Sequence, residues 1–184
     1  MSTTVAIIEI VIIGLFGLVW LLLLAMRLTG VDQSAVTTWA RDWKDWSSAV
    51  TLIGVVVIYQ IGWLINGLCR AAMSPFATRQ LNQIYSGSEH YEEARAVVYL
   101  RGSAKVLEDL ALEQSVIRLA RGGAVNFSLI ALLLITGGIN RVRVSLAVLF
   151  LSLAVGTLLQ WSQRSRRYYK RLLAAYNALS KPSP

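Results

Sequence analysis

Apolar and polar positions alternate along this chain in blocks far longer than a helical or strand repeat. Four apolar runs, residues 5–26, 49–69, 123–139 and 144–161, are each 17 to 22 residues long. At about 1.5 Å per helical residue, each comes close to or exceeds the roughly 30 Å hydrocarbon core of a bilayer, within the range of spanning helices. Basic residues sit where the runs stop. Arg27 ends the first, Arg70 the second, Arg118 and Arg121 precede the third, and Trp161 with Arg164, Arg166 and Arg167 closes the fourth. Only Asn140, Arg141, Val142 and Arg143 separate the last two runs, so they are expected to form an antiparallel pair. The pattern predicts an all-α integral membrane protein with four transmembrane helices in two hairpins. Its expected divisions are 1–69, a first hairpin with an external helix; 70–121, a short cytoplasmic helical segment; 122–163, a second hairpin; and 164–184, a basic helical cytoplasmic tail.

The polar blocks have patterns of their own. In 28–48, Trp39, Trp43 and Trp46 share one helical face, with Asp32 or Ser34 as a possible cap. Tryptophan favours the membrane–water boundary, so this reads as an interfacial helix; an aromatic cage for a cation is the sharper alternative. In 70–122, Ser74-Pro75 predicts a helix start, since proline suits the first helical turn. Ser86-Gly87-Ser88 predicts a break, and Ser86 with Glu89 has capping-box spacing for a second helix to about Leu100. From Ser103 the pattern reads as helix without a breaker until Gly122-Gly123, and a stalk that continues into the third apolar run is the expectation. Val106, Leu107, Leu110 and Ile117 mark one apolar face of it. The tail 163–178 should extend the fourth run as a second stalk, with Tyr169, Leu172, Leu173 and Tyr176 apolar and facing the first. These eight residues are the candidate partner-binding face. Residues 181–184 read as a frayed end.

Composition fits a membrane protein and changes the picture only in detail. Of 184 residues 55% are hydrophobic and 15% charged, and mean hydropathy is +0.55, too apolar for an ordinary soluble domain. Net charge is +8, which elsewhere would suggest nucleic acid. Here thirteen of the 18 Lys and Arg lie in 70–122 and the tail, against five in the opposite loops. The positive-inside rule then puts both termini and the central segment in the cytoplasm. The basic side of the tail (Arg164, Arg166, Arg167, Lys170, Arg171) is expected to meet anionic lipid, and no nucleic acid partner is expected. The first run lacks a basic leader and a cleavage pattern, and reads as an uncleaved helix. A bacterial inner membrane suits these features.

Candidate chemistry is sparse. One cysteine, Cys69, and one histidine, His90, argue against a disulfide, a multi-cysteine metal site and bis-histidine haem. No nucleophile, metal or phosphate-loop motif is present, so neither enzyme activity nor a cofactor is expected. The acids Glu89, Glu92, Glu93, Glu108, Asp109 and Glu113 alternate with bases and read as solvated or interfacial, and His90 reads as exposed. Within the apolar runs the polar residues Glu9, Gln60, Asn66, Asn126 and Ser128 stand out, as a polar membrane face or a pore lining. Gly54, Gly62 and Gly67 accompany Gln60 and Asn66 and suggest a packed face.

Three functions follow. The first is a non-catalytic membrane subunit that self-associates and offers cytoplasmic helices to a partner. The second is a homo-oligomeric channel or membrane-permeabilising effector. The third is a small proton-coupled carrier using Glu9. Small proton-coupled multidrug exporters also carry a glutamate in the first helix, but lack a central segment of this length. The second hairpin followed at once by Ser165–Tyr176 (SRRYYKRLLAAY) resembles small two-span effector modules of bacterial anti-phage systems. That likeness covers about a third of the chain and implies an effector or defence-complex role.

Overall fold

The computed structural model describes residues 3–30, 38, 47–137 and 140–180. Among them are five helices and no strand: α1 (Thr3–Thr29), α2 (Ser47–Asn82), α3 (Ser88–Arg101), α4 (Ala104–Thr136) and α5 (Arg141–Ser180). All but α3 are long and apolar enough to cross a membrane, which suggests a membrane protein. The tryptophan-rich helix expected around Trp39, Trp43 and Trp46, and the end expected to fray, lie outside the described residues.

The sequence expectation fails at Ser74-Pro75. No helix begins there; α2 runs straight through Pro75. Proline has no N–H for the carbonyl four residues back, and the Ser74 hydroxyl takes its place, donating to the Ala71 carbonyl at 3.0 Å. Thr78 likewise donates to the Ser74 carbonyl at 3.0 Å. The break at 86–88 is real, but the expected capping box is not. Gly87, at φ 151°, caps α3 without a side-chain hydrogen bond, and Ser86 Oγ instead lies 3.1 Å from His90 Nδ1. His90 is half-buried, edge-on to Tyr85 and Tyr176 at 5.6 and 5.7 Å, a correction to its expected exposure. Ser103 does cap α4, accepting from the Val106 amide, and α4 then continues without interruption to Thr136. Asn140 opens α5 by accepting from the Val142 amide at 3.2 Å.

Contacts define two registers. α1 and α4 run side by side in the same direction: Glu9 meets Arg118, Trp20 meets Asn126, and Arg27 meets Thr136. α4 and α5 run in opposite directions, with Phe127 against Phe150, Glu113 against Arg164, and Gln114 against Tyr168. α4 is therefore the central element. A third of its most apolar stretch is buried, against 11% of that of α5.

The main core lies away from the apolar runs. Tyr85, Ala94, Val98, Leu110, Tyr168 and Leu172 are buried together, with Val106, Leu107, Ile117, Tyr169, Leu173 and Tyr176 packed around them. All eight residues of the expected partner-binding face thus meet one another, with α3 closing over them. Two smaller clusters, around Ile13, Ile65 and Cys69 and around Met73, Ala120 and Trp161, join α1, α2, α4 and α5.

Candidate functional site

Polar side chains that interrupt apolar helices must find partners, because hydrocarbon offers none. In α1, Glu9 is buried. It accepts from Ser115 Oγ and, at 2.8 Å, from Arg118 Nε. One turn of α4 supplies both donors, since positions three apart share a helical face. Asn126, fully buried, accepts from the Trp20 indole at 3.0 Å and donates to the Ile13 carbonyl at 3.0 Å. Asn66 accepts from Arg121 Nη2 at 2.8 Å. Ser128 is exposed and donates to the carbonyl of Ala124 in its own helix at 2.7 Å. Gln60 makes no hydrogen bond among the described residues, and it faces outward with Val56, Val57, Trp63 and Leu64. Of the five polar residues singled out in the sequence, three are therefore tied between helices, and Gln60 alone presents an open amide.

The glycines divide in the same way. A methyl built at Gly62 would fall on the Ile10 carbonyl, and one at Gly14 on the Ile58 carbonyl. The backbones of α1 and α2 therefore touch at this crossing. Gly54 and Gly67 meet nothing within 4 Å, so the packed glycine face expected of α2 reduces to Gly62.

At the arginine-rich end, Glu113 is buried, not solvated as its pattern suggested. Arg171 and Arg164 hold it at 3.0 and 3.3 Å. Two of the five tail residues expected to meet lipid are thus engaged by an acid of the neighbouring helix. Arg166, Arg167 and Lys170 remain exposed.

Two of the cavities at this end differ sharply in lining. One, about 730 Å³, lies between α2 and the α4–α5 pair. Its walls include Phe76, Leu129, Leu151, Val155 and Leu158, and its polar residues include Arg79, Gln80 and Arg166. The other, about 450 Å³, is lined by Asn66, Arg70, Tyr91, Arg95, Gln114, Ile117, Arg118, Arg121, Ser165, Tyr168 and Tyr169. Within it Gln114 donates to the Tyr168 hydroxyl at 2.6 Å. Burial, reinforced by the neighbouring Tyr168 and Tyr169, pushes the Tyr91 phenol above its ordinary range. It therefore stays a neutral O–H donor at physiological pH.

Sequence reasoning missed this second cavity. Arg70, Arg95, Arg118 and Arg121 are spread along the sequence from 70 to 121, where they read simply as charges marking the cytoplasmic side. The two arginines three apart in α4 were the only local hint that they share a face. Among the described residues no cluster of His, Cys, Asp and Glu suited to a metal ion occurs. Searches of protein-family models, curated proteins and solved structures returned no match to this chain.

Proposed function

We propose that the chain is a non-catalytic bacterial inner-membrane subunit that self-associates within the bilayer. Four spans form two hairpins, with both termini and the segment 70–121 in the cytoplasm, in keeping with the thirteen-to-five distribution of basic residues. The observation that supports self-association is Gln60. It stands about midway along the apolar run of α2, exposed, with both halves of its amide unused. In hydrocarbon such an amide lacks partners. A second copy brought up on the same face supplies one, since a carboxamide donates and accepts at once and two of them pair across a two-fold axis. Gly67, two turns along the same stripe, leaves room for close approach.

A pore in a ring of copies is less well supported, because Asn126 spends both halves of its amide, and Asn66 its oxygen, inside one chain. A carrier cycling a proton on Glu9 would have to displace Arg118 and Ser115 first. The cytoplasmic helices remain the surface offered to a partner, now through their outward residues Tyr99, Leu100 and Leu112. The likeness of 122–176 to two-span effector modules extends the proposal to a defence or signalling complex.

Native mass measurement of the purified protein, from detergent and from nanodiscs, tests the reading. A dimer or small oligomer is expected, and Gln60→Leu should weaken it roughly three- to thirtyfold, as an interhelical hydrogen bond of about 0.6–2 kcal/mol implies. A monomer at every concentration overturns self-association. Ion flux through liposomes holding only this protein would replace it with the pore.

A further inference from the structure

We infer that the 450 Å³ cavity beside Asn66, Arg70 and Tyr91 is a binding site for a soluble, phosphate-bearing small molecule. It rests on different residues from the self-association proposal and stands or falls separately.

Four arginines from three helices line it: Arg70 of α2, Arg95 of α3, and Arg118 and Arg121 of α4. No carboxylate lines this cavity itself, but Glu92 stands in the wall of an adjoining space of about 270 Å³ that shares Arg70, Arg95 and Arg121 with it. Glu9 balances Arg118, and Glu92 lies 3.7 Å from Arg95 across an exposed pair. Arg70 and Arg121 have no ion-pair partner among the described residues. Arg121 donates to neutral Asn66, and its Nε is buried without a hydrogen bond. A partly buried guanidinium left without an anion is costly, which applies to Arg121. The exposed Arg70 adds a second uncompensated charge beside the same open space, and together they invite an anion. Arginine's planar fork matches phosphate oxygens. The remaining polar lining, Tyr91, Gln114, Ser165 and Asn66, supplies hydroxyl and amide groups for the rest of the ligand. A volume of about 450 Å³ lies within the roughly 300–1,000 Å³ of ordinary small-molecule sites.

The character of the lining decides between a soluble phosphate and a lipid headgroup. Ile117 is the only aliphatic residue in this cavity, so an acyl chain has no wall to follow. The 730 Å³ groove between α2 and the α4–α5 pair has such walls, with Leu151, Val155 and Leu158 on one side. The bound molecule would tie α2, α3 and α4 together at the point where the helical bundle meets the apolar runs.

The test uses the full chain in nanodiscs of zwitterionic lipid, with pyrophosphate as probe, read by calorimetric titration and thermal unfolding. Saturable binding with a raised Tm is expected, weakened at least tenfold by Arg70→Gln and by Arg121→Gln, and unchanged by Arg167→Gln, an exposed tail arginine outside the cavity. Arg70 is exposed and unpaired, so its variant should fold even where Arg121→Gln does not. Absence of saturable binding overturns the proposal, as does equal weakening by Arg167→Gln, which would mean diffuse charge attraction. If nanodiscs of phosphatidylglycerol raise the Tm through Arg70 and pyrophosphate cannot compete, the occupant is a lipid headgroup and the soluble-ligand proposal is wrong.

Discussion

The two ends of this molecule are held together by different chemistry. Around α3 the packing is that of a water-soluble bundle. Leucine, valine and tyrosine interlock, Leu172 and Val98 are completely buried, and the Tyr85 hydroxyl donates to the Tyr169 carbonyl at 3.0 Å. Along the apolar runs the order inverts. Large aliphatic side chains such as Leu52, Val56, Leu132 and Leu149 point outward, and the helices meet through Gly14, Gly62, Asn126 and Glu9. Water drives apolar surface inward; lipid is as apolar as leucine and does not, so helices destined for it associate through small residues, close packing and hydrogen bonds. The packing around α3 follows the first rule, that along the apolar runs has the features of the second, and α4 spans both.

Substitutions that should hurt only one end probe this contrast. The largest effect is expected for Gly62→Leu, which forces α1 and α2 apart where their backbones touch and should cost about 3 kcal/mol or more. Reversible unfolding in mixed micelles would measure it, with Gly54→Leu, where nothing lies within 4 Å, as the tolerated control; equal loss at both positions would show that the crossing is not a close one. Leu172→Ala should cost about 2–4 kcal/mol, as expected for a large cavity in a dense core. Faster hydrogen exchange should then be confined to α3 and the adjoining ends of α4 and α5. Asn126→Leu should cost only about 1 kcal/mol, and an exposed Trp20 indole, followed by tryptophan fluorescence, would report the lost partner. Smallest of all, Leu100→Ser at the exposed end of α3 should stay within about 0.5 kcal/mol by thermal unfolding. A larger loss there would mean that Leu100 is covered in the native assembly.

How much of this could be read from the chain varies residue by residue. The helix running from Ser103 into the third apolar run was legible because each turn repeats the same preference up to Gly122-Gly123, and that glycine pair does not interrupt it. The stalk-on-stalk packing was legible because each stalk carries an apolar face, Val106 to Ile117 on one and Tyr169 to Tyr176 on the other, and the short link between the last two runs brings them side by side. Pro75 misled, since proline signals a helix start only when the carbonyl four residues back finds no other donor, and Ser74 supplies one. Glu113 misled because burial of an acid depends on which cations another helix brings, and Arg164 and Arg171 lie more than fifty positions away. Glu9 was visible as an anomaly, but its partners were not.

Local sequence determined the elements: run length, capping by Ser103 and Asn140, and the basic ends are short-range properties that each stretch carries alone. Only the tertiary structure decided which polar groups were spent. Asn66 and Gln60 lie six residues apart in one helix, with the same chemistry and the same apolar surroundings. A turn of α2 gives Asn66 to Arg121 and leaves Gln60 open, because the direction a side chain faces acquires meaning only once a neighbouring helix is there to meet it. The gathering of Arg70, Arg95, Arg118 and Arg121 around one cavity is likewise a property of how three helices pack, and it arises from no single stretch of the chain.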